Sequence, residues 1–74
     1  MTINIIEELS KILRNSFLEE EVRAEAALSI AEFGSEEAVK LLIEIIEKGG
    51  QPVCIRIAAI KGLGRIGAAQ QRAR

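Results

Sequence analysis

One segment of the chain is laid over another, and this repeat limits what the whole can fold into. Val22-Arg-Ala-Glu-Ala-Ala-Leu-Ser-Ile-Ala-Glu-Phe-Gly34 matches Ile55-Arg-Ile-Ala-Ala-Ile-Lys-Gly-Leu-Gly-Arg-Ile-Gly67 at an offset of 33 residues. Arg23 meets Arg56, Ala26 meets Ala59, and Gly34 meets Gly67. The preceding segments align at the same offset. Ile5, Ile6, Leu9, Ile12 and Leu13 fall on Ala38, Val39, Leu42, Ile45 and Ile46, apolar on apolar throughout. Self-similarity at such a period is the mark of a unit that buries its apolar face only by stacking on its neighbour.

Each unit reads as two helices. Ile5, Ile6, Leu9, Ile12 and Leu13 recur at helical spacing with Glu7, Glu8, Lys11 and Arg14 between them. Residues 15–21 break the pattern. Val22, Ala26, Ile30 and Phe33 form the stripe of a second helix, with Glu19, Glu20 and Glu21 at its positive end and Gly34 as its stop. Ser35 reads as the N-cap of a third helix carrying Ala38, Val39, Leu42, Ile45 and Ile46, which Gly49-Gly50 ends. Pro52 suits the first turn of a fourth, running through Ile55, Ala59, Leu63 and Ile66 to Gly67. The tail from Ala68 to Arg74 shows no clear apolar face. One domain over 1–74 is expected, with units at about 3–34 and 35–67 and a tail at 68–74.

The Val/Ile-Arg pair, the Ala three residues on, the closing Gly and the Glu-rich helix start after it resemble the HEAT-like repeats of the phycobilisome-lyase type. The resemblance covers roughly residues 3–67. It implies an all-α fold, a short α-solenoid of two helical hairpins, and a role as a protein-binding scaffold. It also implies two alternatives: an accessory part in bilin attachment, and DNA binding as in some helical-repeat relatives. The chain departs from the pattern in three places. Neither Val/Ile-Arg pair has an Asp in the loop before it, Gly62 lies inside a helix, and two units stand where such arrays usually stack three or more.

Composition narrows the chemistry. The 74 residues contain no His, no Trp or Tyr, and one cysteine, Cys54. A thiol without an imidazole lacks the base for Cys–His catalysis, and a lone thiol is no zinc site or disulfide. Cys54 reads as a small, semi-buried residue near a helix start. Two phenylalanines, Phe17 and Phe33, offer no stacking platform for bases. Gly62-Leu-Gly-Arg-Ile-Gly67 satisfies G-x-G-x-x-G, but no strand precedes it and it lies at the end of a helix, not its start. Its glycines read as close helix approach at Gly62 and Gly64 and a cap at Gly67. No catalytic residue, cofactor or metal site is expected. No basic leader and no apolar run of about eighteen residues is present, so a cytoplasmic chain without a membrane span is expected.

Charge is divided along the sequence. Residues 1–47 hold all eleven acids, every one a Glu, against Lys11, Arg14, Arg23 and Lys40, a net −7. Residues 48–74 hold six bases and no acid, a net +6. Lys61, Arg65, Arg72 and Arg74 could meet phosphate, but four spread charges on a chain of net −1 argue against nucleic acid as the main partner. Arg23 and Arg56 form the repeat signature. They are expected to be structural, paired with a carboxylate such as Glu19, Glu20 or Glu21.

The units differ where ends should differ. Glu8 and Ser10 stand where the third helix has Leu41 and Ile43, so the N-terminal unit reads as the more polar cap. Ile57, Ala58 and Ile60 replace Ala24, Glu25 and Ala27, with Lys61 exchanged for Leu28. Ile57, Ala58, Lys61 and Arg65 are therefore the candidate interface, expected to meet a protein partner, most simply a second copy in a two-fold homodimer. Opposite charge at the two ends offers a head-to-tail contact as well, one that would weaken with salt.

Overall fold

The computed structural model describes residues 3–72 and consists there of four α-helices in two antiparallel hairpins. Helix α1 spans Ile5–Arg14, α2 Glu20–Ala31, α3 Glu36–Glu47 and α4 Val53–Arg72. Helices α2 and α4 lie side by side and share the most extensive contact; α1 backs α2 and α3 backs α4. The result is a slab 41 × 35 × 19 Å, two helix layers deep.

Local chemistry sets the helix ends. Asn4 caps α1: its Oδ1 accepts the Glu7 N–H at 3.1 Å. Ser35 caps α3 in the same way, accepting from the Ala38 N–H at 3.2 Å. After α2, Gly34 takes φ +58° and donates its N–H to the Ala31 carbonyl at 3.1 Å, a left-handed exit that a side chain would strain. Gly49 and Gly50, both at positive φ, turn the chain after α3.

Two expected boundaries shift. Pro52 precedes α4, and its carbonyl accepts the first helical bond from Arg56 at 3.2 Å. Gly67 does not end α4, which continues to Arg72 with no positive φ at Gly67. A helical Gly costs only about 1 kcal/mol relative to Ala, and the strong helix formers Ala68, Ala69, Gln70 and Gln71 follow it. The helix therefore absorbs most of the expected tail; residues 73 and 74 lie outside the described residues.

The core is a seam of small and branched aliphatics. Leu13, Ile30, Leu42 and Ile55 are its largest fully buried side chains, with Ala26, Ala27, Ala38 and Ala59 between them. Alanines let α2 and α4 approach closely. At their crossing a Cβ on Gly62 would stand 2.8 Å from the Ala31 Cβ, closer than any real contact, so the crossing holds one β-carbon and no more. Gly64, expected to share this role, has open space around it. The stripe expected for α2 is also displaced. Ile30 and Ala26 are buried, but Val22 and Phe33 keep about half of their surface exposed at the margin of the packed faces.

Candidate protein-binding surface

Residues four apart on a helix share a face. Along α4 this brings Ile57 and Lys61 together, and Cys54 with Ala58. Across from them stand Ala24 and Leu28 of α2. Between the two helices lies an apolar groove of about 430 Å³, floored by buried Ala58 and flanked by exposed Cys54 and Lys61. The structure thus brings together three of the four candidate interface residues, Ile57, Ala58 and Lys61. Arg65 lines a separate hollow of about 290 Å³ one turn further along, where its Nη1 lies 3.7 Å from Glu32 Oε1. Cys54, expected to be semi-buried, is exposed because it lies in the first turn of α4 on the side facing away from α3 and the core.

Ile60 and Val53 belong to this end of the molecule too, though sequence reasoning left them out of the site. Both are more than half exposed. The signal was there in the repeat: Ile60 replaces Ala27, so a larger apolar side chain stands where the first hairpin has a small one.

The two signature arginines have different fates. Arg23 is only 5% exposed. Its Nε donates to the Leu13 carbonyl at 2.7 Å and its Nη2 to Gln51 Oε1 at 2.5 Å. The carbonyl is one of the four that the end of α1 leaves without a helical partner, and a cation there also meets the negative end of the helix dipole. Arg23 therefore ties α1, α2 and the loop before α4 into one body. Its role is structural as expected, but its partners are not Glu19, Glu20 or Glu21. Arg56 is half-buried, and among the described residues its side chain makes no hydrogen bond or ion pair.

Charge pairs link the hairpins elsewhere. Arg14 Nη2 donates to Glu44 Oε1 at 2.6 Å, joining α1 to α3. That hydrogen bond, followed by the charge of Lys48, holds the Glu44 carboxyl below the usual carboxylate range.

The N-terminal end is not the polar cap that Glu8 and Ser10 suggest. Phe17 is 97% exposed, and Ile3, Ile5, Val22 and Phe33 all show about half or more of their surface. Glu8 and Ser10 do face water or its margin, but the apolar residues on other faces of α1 and α2 outweigh them. Both ends of the two-hairpin stack are thus apolar. No described helix is long and apolar enough to cross a membrane.

Two stacked hairpins, a close inner-helix seam and a buried Arg on α2 that reaches the loop before α4 agree with a family match to HEAT repeats over residues 6–74. The chain belongs to the HEAT-repeat family. No curated protein and no solved structure matches it. In HEAT terms, α2 and α4 are the inner helices of successive repeats, and the groove between them lies on the surface where the second repeat departs most from the first.

Proposed function

We propose that this HEAT-repeat chain is a non-catalytic protein–protein interaction module that associates with copies of itself through the uncovered side of α4. HEAT repeats generally mediate protein–protein contact or scaffolding. The observation that carries the finer reading is the burial of equivalent positions. Ala27 of α2 is fully buried against α4, whereas its counterpart Ile60 is 56% exposed, as Ile57 and Val53 are beside it. A row of branched aliphatics held in water on a rigid helix favours association by the area it would bury. Absolute molar mass by light scattering after size exclusion tests this. A mass of two or more chains at micromolar concentration is expected; a monomer at every accessible concentration rejects it. An accessory role in bilin attachment and binding of nucleic acid to the basic α4 remain the alternatives. Absorbance of a free bilin mixed with the chain, and salt-dependent binding to duplex DNA, test them respectively.

A further inference from the structure

We infer that copies of this chain join head to tail, the α4 face of one against the α2 face of the next, continuing the HEAT stack in the register that already relates the two hairpins within a chain. The inference rests on the self-association proposed above and specifies its geometry.

The 33-residue repeat gives a rule for translating contacts. A contact between a residue of hairpin one and a residue of hairpin two becomes, at the junction, a contact between the first number plus 33 on one copy and the second number minus 33 on the next. Each internal contact can then be checked against the residues that would replace it.

The charge pairs survive translation. Within the chain, Arg14 of α1 pairs with Glu44 of α3; the junction sets Glu47 against Lys11 of the next copy, opposite in sign again. Glu32 of α2 faces Arg65 of α4; the junction sets Arg65 against the next Glu32, so that each Arg65 would lie between two glutamates. Leu28 and Ala58 line the same groove inside the chain. Their replacements are Lys61 and the next Glu25. Two apolar positions that line one groove become oppositely charged, with both changed together. Among the described residues, neither Lys61 nor Glu25 has an ion pair within its own chain.

Sizes translate as well. The internal crossing has room for a single β-carbon, supplied by Ala31 against Gly62. At the junction the same crossing would be Gly64 against Ser29. Again one partner is glycine and the other carries the β-carbon, with the roles exchanged. Gly64 has nothing within 4 Å of where its Cβ would be. The receiving face on α2 is open and mixed: Val22 and Phe33 are about half exposed, whereas their counterparts Ile55 and Ile66 are buried, and exposed Glu20, Glu21 and Glu25 stand where α4 has Val53, Cys54 and Ala58. Not every neighbour is reproduced: Leu18 stands where Gln51 accepts from Arg23, and Glu20 and Glu21 stand where Val53 and Cys54 line the internal groove.

A two-fold dimer through the same face fits less well. It would set α4 against α4, and α4 carries Arg56, Lys61, Arg65 and Arg72 with no acid at all. The head-to-tail junction instead sets the second hairpin, residues 35–74 with seven bases and four acids (net +3), on the first, residues 1–34 with three bases and seven acids (net −4). Such a contact is heterologous and does not close on itself, so it gives chains of growing length.

Sedimentation velocity and light scattering over a wide concentration range test the geometry. Mass is expected to rise continuously with concentration and to fall as salt is raised. Lys61→Glu and Glu25→Lys each place like charges at the junction. Each is expected to weaken association roughly tenfold while leaving the helical circular dichroism unchanged. Mixing the two variants restores both junction types in alternation, and the double variant restores them within one chain. Gly64→Ala is expected to weaken association while raising the thermal stability of the free chain. Mass that plateaus at two chains, or charge variants that do not rescue one another, overturns the head-to-tail register and leaves self-association standing. A monomer throughout overturns both.

Discussion

Helices α2 and α4 hold the same place in successive repeats, yet they meet different surroundings. Ala27 and Ala31 on α2 lie under α4; Ile60 and Gly64, their counterparts, lie under nothing in the single chain. Arg23 is buried with two hydrogen bonds, and Arg56 has none among the described residues. The side chains at some equivalent positions are alike, as at Arg23 and Arg56, and at others differ, as at Leu28 and Lys61. What separates them among the described residues is that α2 has α4 packed on its far side. In a solenoid a residue's burial belongs to the stack and not to the residue.

Paired substitutions at equivalent positions sharpen that comparison. The largest effect is expected in the seam. Ile30→Ala removes a fully buried side chain and should destabilise by about 2–5 kcal/mol, whereas Leu63→Ala, at the half-buried counterpart, should lose well under half as much. Urea titrations of the two variants at a concentration where the chain is monomeric measure the difference, and equal losses would contradict the unequal burial of Ile30 and Leu63. Next come the arginines. Arg23→Met leaves the Leu13 carbonyl and Gln51 without their donor and should cost about 2–3 kcal/mol. Arg56→Met should be close to neutral by the same measurement.

The glycines give a smaller effect, and one of opposite sign in the two variants. Gly62→Ala drives a β-carbon to 2.8 Å from Ala31. Overpacking outweighs the gain in helix propensity, and a net loss on the order of 1 kcal/mol is expected. Gly64→Ala meets open space and should gain about 0.5–1 kcal/mol from propensity alone. For a chain of this size these shifts move the melting temperature by several degrees in opposite directions. A loss at both positions would mean that Gly64 is already contacted in the single chain.

The smallest expected effect lies between the outer helices. The Arg14 hydrogen bond keeps the Glu44 pKa low in the folded chain. A carboxyl depressed on folding contributes stability above its unfolded pKa and loses it as pH falls through the folded value. The melting temperature should therefore decline on acidification below the usual carboxylate range, and Glu44→Gln should remove part of that decline. The pair is about half exposed, so the slope is shallow and salt flattens it further. A pH profile identical in the variant would show that the pair contributes nothing in solution.

Much of this was legible in the residues because the signals are local. Four helices follow from apolar spacing. Ser35, Gly34 and Gly49-Gly50 mark helix boundaries by the chemistry of single positions. The stacking of two hairpins follows from one offset of 33 residues that satisfies every helix at once. Asn4 with Glu7 three residues on carried a cap signal of the same local kind, though its place at the chain's start made it easy to pass over. The groove was half visible: Ile57, Ala58 and Lys61 emerged from comparing the repeats, whereas Val53, Cys54 and the α2 wall of Ala24 and Leu28 did not.

What only the tertiary structure decided concerns groups that meet across the fold. Periodicity shows that a helix has an apolar stripe, but α2 is packed on two sides, and no stripe says that Val22 and Phe33 stay about half exposed. Arg23 finds the Leu13 carbonyl and Gln51, acceptors ten and 28 residues away, where nearby glutamates offered the simpler pairing by sequence. Gly67 ends no helix, because a cap needs a left-handed turn and good helix formers on its far side do not provide one. Gly62 and Gly64 look alike in sequence and differ only in whether another backbone comes close. Hydrogen-bond caps and helical period act within one turn of chain and are written in order along it. Burial, crossing distance and the partner of a buried cation depend on which surfaces the stacked hairpins bring together, and only the folded chain fixes those.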